Sequence, residues 1–359
     1  MYDTYKKGLM QPVGKTNIRS VAAAAGVSPA TVSRVLNGNS AVNPALADKV
    51  LTAVQQLGYR PSAPQSSRTG QIVFIVPALS MTYYSTVADG MIDTAVRYNL
   101  SVSIMTSHAD PQRESECLRD ACSSSTTGII YSPATGRNPY ELFPMLRSIP
   151  LVITGPRHLV SGVPHICQDN FFAGYTATKY LLRLGHRRIA FIVNFWMNHI
   201  HSYDEFLREY HSPARDHFSA YDRYAGFCKA LEEENMEPDP SLIVFGGFSY
   251  ESGYESARQL LASSVSFDAV LAPNDRCGAG VLKILRQQGL HVPEQVSIVC
   301  LNGGVLSDTM SPTLTVVEMN NYAMGVEAIQ QMNRLLQGEN ASDVKIDAKL
   351  IIKNSTQAR

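Results

Sequence analysis

From Gln71 onward, apolar runs of strand length alternate with amphipathic helical stretches, and this alternation limits the fold more than any other feature of the 359-residue chain. The runs are Ile72–Pro77, Val102–Thr106, Gly128–Ser132, Leu151–Thr154, Ile189–Val193, Ile243–Phe245, Ala269–Ala272 and Val296–Cys300. Between them lie Tyr83–Tyr98, Phe171–Leu184, Ala220–Glu234, Tyr250–Ala262, Gly278–Gln288 and Ala323–Leu336, each with helical periodicity. Strands that are apolar along their whole length are buried on both faces, and crossover helices make them parallel. The pattern predicts two parallel sheets of about five strands each, one on either side of a cleft. Ligands of open α/β sheets bind beyond the carboxyl ends of the strands, so two facing sets of ends enclose a small molecule.

Ahead of this body the pattern changes. Asn17 precedes Ile18–Ala25, where Ile18, Val21, Ala22 and Ala25 make one apolar helix face behind an N-cap. Gly26 supplies a tight turn, Ser28 caps a second helix, and Pro29 suits its first position. In that helix Val32, Val35 and Leu36 face one way, leaving Pro29, Ala30, Ser33, Arg34 and Asn37 outside. A third helix starts at Asn43-Pro44, buries Leu46, Val50, Ala53, Val54 and Leu57, and stops at Gly58. Three short helices on one small core make a helix-turn-helix unit whose second helix enters the major groove of DNA. Arg34 can then bond guanine with two donors and Ala30 can meet a thymine methyl. Ser28, Thr31, Ser33 and Asn37 are placed for phosphates, with Asn17 and Arg19 at the start of the first helix. The alternative is a three-helix protein-interaction module with Arg34 in solvent. Charge favours DNA: residues 1–70 hold eight Lys/Arg against Asp3 and Asp48, in a chain that is neutral as a whole.

At these residues the chain resembles the lactose-repressor (LacI/GalR) family of bacterial transcription regulators. "VSPATVSRVLNG" (Val27–Gly38) and "VLTAVQQLGYRP" (Val50–Pro61) carry the match. The resemblance implies that Pro29, Ala30 and Arg34 read bases, that Tyr59 contacts the DNA backbone, and that the protein works as a homodimeric repressor on a pseudo-palindromic operator. Family members follow "YRP" with a hinge helix whose leucine wedges into the minor groove. Here the text is Ser62-Ala-Pro-Gln-Ser-Ser-Arg-Thr-Gly70, with Arg68 where the leucine belongs when counted without gaps and no leucine when counted with a one-residue deletion. Weaker hinge ordering is expected, with Arg68 entering a narrow groove as a charge. A flexible linker without a DNA role is the alternative.

The resemblance continues through "DNFFAGYTATKYLLRLGHRRIAFI" (169–192), "RYAGFCKAL" (223–231), "APNDRCGAGVLKIL" (272–285) and "LIIKNST" (350–356). It implies a tail over 1–15, a DNA-binding domain over 16–60, a linker over 61–70 and a body over 71–359. The body would be two lobes like those of periplasmic sugar-binding proteins, joined by three crossings. One lobe would hold about 71–167 and 297–321, the other 168–296 and 322–356. It places effector contacts at Tyr83 and Tyr84, at Arg223 with Ser219 four residues before it, at Phe248 as an aromatic platform, at Asp275, and at Asn302 where many relatives have aspartate. Hydroxyls bonded by Arg, Asp and Asn, with a ring on an aromatic face, describe a sugar site; a purine could use the same aromatics. The competing structural readings are an Arg223–Asp275 ion pair, and Tyr84 and Phe248 as plain core.

Other classes find less support. The nearest phosphate-loop text, Gly278-Ala-Gly280, lacks its third glycine because Lys283 stands there. Nucleophile-elbow and zinc-spaced motifs are missing, so neither an enzyme nor a cofactor is expected. The start "MYDTYKKGLMQPVGK" lacks the apolar core of a signal peptide, and no apolar run has transmembrane length, so a cytoplasmic protein is expected. The six cysteines form no CxxC pair and read as reduced core residues. Residues 194–222 are longer than the family carries there. They hold Trp196 and four of the nine histidines, His199, His201, His211 and His217. His-x-His without clustered carboxylates is weak for a metal, and a lid or surface excursion beside the cleft is expected instead.

Overall fold

Asn17 starts the first helix, α1 (Ile18–Ala25), as its Oδ1 accepts the backbone N–H groups of Arg19 and Ser20 at 3.0 Å each. The computed structural model describes residues 17–36, 43–59, 70–123, 125–134, 137–155, 160–195, 200–212, 218–263 and 265–359, and the chain divides into two units, 1–68 and 69–359. In the first unit, α1 ends at Gly26, whose φ of +67° a side chain would hinder. Ser28 Oγ accepts Thr31 N–H at 3.1 Å to cap α2 (Pro29–Leu36), and Asn43 caps α3 (Pro44–Leu57). Val21, Ala22, Val32, Val50 and Ala53 form the shared core, with Tyr59 packed at its edge. Leu57 departs from expectation: it is 38% exposed, because it lies in the last turn of α3, outside the Val50–Ala53–Val54 stripe.

The second unit has two six-stranded sheets. The first contains β1 (Gly70–Val76), β2 (Leu100–Thr106), β3 (Thr126–Tyr131), β4 (Leu151–Thr154), β5 (His165–Gln168) and β11 (Val344–Ile346), in the order β11-β5-β4-β3-β1-β2 and all parallel. Its helices are α4 (Thr82–Ala95), α5 (Pro111–Ala121), the short α6 (Pro139–Leu142) and α13 (Asn321–Leu336). The second sheet contains β6 (Ile189–Asn194), β7 (Ile243–Gly246), β8 (Ala269–Ala272), β9 (Ser297–Cys300), β10 (Thr315–Glu318) and β12 (Lys349–Ile351), in the order β12-β10-β9-β8-β6-β7. Only β12 in this set runs antiparallel to its neighbour. Its helices are α7 (Asn170–Arg183), α8 (Tyr203–Tyr210), α9 (Ser219–Glu232), α10 (Tyr250–Ala262), α11 (Asp275–Gln287) and α12 (Val305–Thr309).

The division into lobes corrects the sequence reading. Residues 297–320 belong with the second lobe, since β9 pairs with β8 and β10 with β9. Residues 321–346 belong with the first, since α13 packs on α4 through Met324, Ala328, Ile329 and Met332, and β11 pairs with β5. The tail from 349 then returns to the second sheet, where Ser355 Oγ donates to the Ile298 carbonyl. The chain thus crosses between lobes after β5, after β10 and after β11. Apolar patterning locates strands but does not say which sheet a late strand joins; that depends on pairing partners far away in the chain. Each sheet also gains a strand over the expected five, and Gly70 belongs to β1 rather than to the linker.

Three helix pairs cross where glycines remove the Cβ from the contact. A Cβ at Gly90 of α4 would strike the Tyr322 carbonyl of α13, and one at Gly325 the Val87 carbonyl. Gly174 and Gly226 do the same for α7 and α9, and Gly253 and Gly280 for α10 and α11. Gly280 therefore serves helix packing and Gly278 leaves room for the Cys300 and Leu314 side chains, which accounts for the glycines that resemble a fragment of a phosphate loop.

Candidate functional site

In the helical unit, Pro29, Ala30 and Arg34 are exposed on α2, with Thr31 and Ser33 half-buried beside them. Arg34 sits in the last turn of α2, where a cation suits the helix dipole. Asn17, Arg19 and Ser28 are exposed at the helix starts, and Tyr59 is half-buried against the core. The Oδ1 of Asn17 and the Oγ of Ser28 are engaged as caps, Ser28 also meeting Thr31 Oγ1 at 2.9 Å. Asn37 and Arg68 lie outside the described residues, as do Trp196, His199 and His217.

In the second unit, a cavity of about 1040 Å³, its mouth included, lies between the lobes. It follows from topology. Both sheets run β2-β1-β3-like around their first strand (β2-β1-β3 and β7-β6-β8), which places a strand-order reversal and its crevice at the carboxyl ends. The lining residues follow those ends: Tyr83 and Tyr84 after β1, Ser132 and Ala134 after β3, Gly155 after β4, Gln168 and Asn170 around the end of β5, Asn194 and Phe195 at the end of β6, Phe248 after β7, Asn274, Asp275 and Arg276 after β8, and Asn302 after β9. Phe218, Ser219 and Arg223 come from the start of α9. All seven sequence-derived candidates, Tyr83, Tyr84, Ser219, Arg223, Phe248, Asp275 and Asn302, meet on this one cavity.

Their surroundings differ. Arg223 is 5% exposed; its Nε donates to Asn170 Oδ1 at 3.0 Å and its guanidinium to the Pro273 carbonyl at 3.1 Å. Burial lowers its pKa to about 10, opposed by nearby Asp222, so it stays charged at neutral pH. Asp275, 4% exposed, begins α11 behind the Asn274 cap, and its own N–H donates to the Asn302 carbonyl at 3.1 Å. Burial raises its pKa, offset in part by backbone N–H groups of Arg276, Ser307, Asp275 and Leu306. The guanidinium and the carboxylate thus have separate partners and are not held as the ion pair that their charges suggested. Tyr84 belongs to the core of the first lobe and also lines the cavity. Tyr83 packs edge-on against Tyr84 at 4.6 Å and donates to Met324 Sδ at 3.2 Å; burial raises its pKa strongly.

Asn302 reaches beyond the cavity. Its Oδ1 accepts from Asn321 Nδ2 at 3.3 Å, and Asn321 Oδ1 accepts from Gln168 Nε2 at 2.6 Å. Gln168 and Asn321 flank two of the three crossings, so cavity wall and hinge share one amide chain. Where an aspartate would carry charge, Asn302 supplies a neutral link to the hinge. Across the mouth, Arg276 of the second lobe donates to the Ser80 carbonyl of the first at 2.9 Å.

Asn170, Asn194, Phe195, Phe218, Asn274 and Arg276 were not singled out from sequence. The rule that sites gather beyond strand carboxyl ends points at Asn194, directly after the run Ile189–Val193; the long stretch that follows obscured it. Asn194 is 4% exposed, and its Nδ2 has no hydrogen-bond partner among the described residues. A buried amide left so costs about 1–3 kcal/mol. Among the described residues no cluster of His, Cys, Asp and Glu is arranged to hold a metal ion, and no helix is long and apolar enough to cross a membrane.

Residues 17–62 match the profile of bacterial regulatory proteins of the lacI family, and residues 178–356 that of the periplasmic binding protein-like domain. The chain is 30% identical over 326 residues to catabolite control protein A of Staphylococcus epidermidis, covering 90% of this chain and 93% of that protein. It is 29% identical over 350 residues to the HTH-type transcriptional regulator RegA of Clostridium saccharobutylicum, covering 95% and 99%. Among solved structures, a transcriptional regulator CelR–cellobiose complex superimposes with a TM-score of 0.67 at 26% identity, covering 95% of this chain and 99% of that one. The chain belongs to the lacI family of bacterial regulatory proteins, and is a DNA-binding transcription regulator, not an enzyme.

Proposed function

We propose that the protein is a repressor: a homodimer whose two helical units read the halves of a pseudo-palindromic operator, and whose interlobe cavity takes a sugar or sugar derivative. The observation that carries the effector reading is the cavity itself, where buried Arg223, Asn170 and Asp275 stand with Asn302 among aromatic side chains. Such a set bonds ring hydroxyls and stacks a ring face. The CelR relative is solved with cellobiose, which supports the same class. For the DNA contacts, Arg34 and Ala30 read base edges with Pro29 beside them, Asn17, Arg19, Ser28, Thr31, Ser33, Asn37 and Tyr59 set register on the backbone, and Arg68 enters the minor groove. In this reading residues 16–60 bind DNA, 61–70 link, and the protein works in the cytoplasm, where its operator is. Pairing has apolar surface available: Ile92 and Val96, one helical turn apart, are both exposed.

Effector binding draws the lobes together and biases the spacing of the two DNA-binding units, a coupling that is reciprocal between operator and effector. The test is a thermal-shift panel of sugars, sugar phosphates, nucleosides and nucleobases. A ligand at a hundred times its Kd stabilises by about 2.7 kcal/mol. A sugar response lost in Arg223→Ala supports the reading. A nucleoside response moves it to the alternative, the same DNA-binding role under a purine effector, for which the aromatic residues are equally suited.

A further inference from the structure

β6 ends at Asn194, Phe195 follows, and the chain returns to the cavity with Phe218 and Ser219 at the head of α9; all four line it. Between them lies α8, whose apolar face of Tyr203, Phe206, Leu207 and Tyr210 recurs at helical spacing. Ser202 caps it, and Glu205 accepts the N–H of His201. Phe206 is fully buried, 6.3 Å from the Phe195 ring, 5.4 Å from Tyr221 and 4.8 Å from Tyr224. Two hydrogen bonds fasten α8 to α9: the Tyr203 and Tyr224 hydroxyls at 2.5 Å, and Tyr221 Oη to Glu209 Oε2 at 2.8 Å. Tyr221 and Tyr224 flank Arg223 on the same helix. Phe195 and Phe218 meet edge to face at 5.8 Å. Among the described residues α8 is therefore packed, and the segments that flank it place an aromatic pair and an amide with an unmet donor at the cavity wall.

We propose that Asn194, Phe195 and Phe218 form a specificity subsite, braced by α8, for a hydroxylated ring that carries an uncharged apolar substituent. The Phe195–Phe218 pair takes the apolar group, and the Asn194 amide donates to an oxygen beside it. None of the three side chains bears charge, so an ionic substituent would lose its water there with no counter-charge from these three. The packing of α8 matters because a subsite selects only if its rings are locked in place. This inference rests on the reading of the cavity as an effector site.

The experiment is titration calorimetry on the full chain with D-glucose, D-galactose and D-ribose, each against its phenyl glycoside. At least one phenyl glycoside is expected to bind about tenfold more tightly than its free sugar, the scale of one added aromatic contact. Phe218→Leu and Tyr203→Phe bring that ratio toward one, with a thermal melt of each variant reporting that the fold is retained. Arg223→Ala weakens both ligands alike. Free sugars that bind with no gain from the phenyl group, or a gain that survives Phe218→Leu, overturn the subsite while leaving the effector reading intact. Silence of the wild-type protein to every probe overturns the effector reading and the subsite with it.

Discussion

Arg223 and Asp275 are both almost fully buried, and each is held by neutral or backbone groups. A carboxyl whose pKa is raised on folding binds its proton more tightly in the native state, so its contribution to stability is present at low pH. That contribution is lost as pH rises from about 3.9, the unfolded value, through the raised native one. Asp275→Asn removes this dependence. The variant is expected to gain stability relative to wild type as pH climbs through that window and to hold a constant difference at neutral pH, as read by urea melts across the pH series. A difference that shrinks with rising pH would mean that the backbone donors outweigh burial. On the DNA side, Arg34→Ala is expected to weaken operator binding by about 1–3 kcal/mol and to relax preference at one base position, whereas loss of a phosphate contact weakens all sequences alike. Competition binding against a set of single-base operator variants distinguishes the two.

At the scale of elements, the helix crossings connect packing to the site. Gly174 of α7 faces the backbone of Arg223 on α9, so a methyl group there pushes on the very residue that lines the cavity. Gly174→Ala is expected to destabilise by about 1–3 kcal/mol through overpacking, and to weaken effector binding as α9 shifts. Thermal melts and a ligand titration read the two effects. Gly289→Ala is the control: its φ of +72° is strained but its Cβ meets open space, so it lowers stability and leaves the ligand Kd alone. Equal effects of both variants on ligand affinity would refute the link between the α7–α9 crossing and the cavity.

At the scale of the molecule, two of the links between the lobes bear on the cavity. The amide chain Asn302–Asn321–Gln168 runs from the cavity wall to the crossings, and Arg276 bridges to the Ser80 carbonyl at the mouth. The second is exposed and contributes about 0.5–1.5 kcal/mol at most. Arg276→Ala is therefore expected to leave the melting temperature nearly unchanged, to enlarge the radius of gyration of the ligand-free protein in X-ray scattering, and to raise the effector Kd several-fold. An unaltered scattering profile would mean that the hinge chain, not the mouth, sets the closed arrangement.

The helix-turn-helix was legible residue by residue, because caps, turn glycine and apolar spacing are local: Asn17, Gly26, Ser28 and Asn43 act where their neighbours in the chain require. The parallel α/β character of the body was legible for the same reason; Tyr83, Arg223, Phe248 and Asp275 came with the family resemblance, and of these Tyr83, Phe248 and Asp275 also follow strand carboxyl ends, where loops converge. Tertiary structure alone decided which sheet residues 297–320 and 321–346 join, that Arg223 bonds Asn170 rather than Asp275, and that Asn194 ends buried with an unmet donor. Each of these is a choice between partners distant in the chain. Local periodicity states that a strand is apolar or a side chain polar; only the packing of the two lobes selects the group it meets.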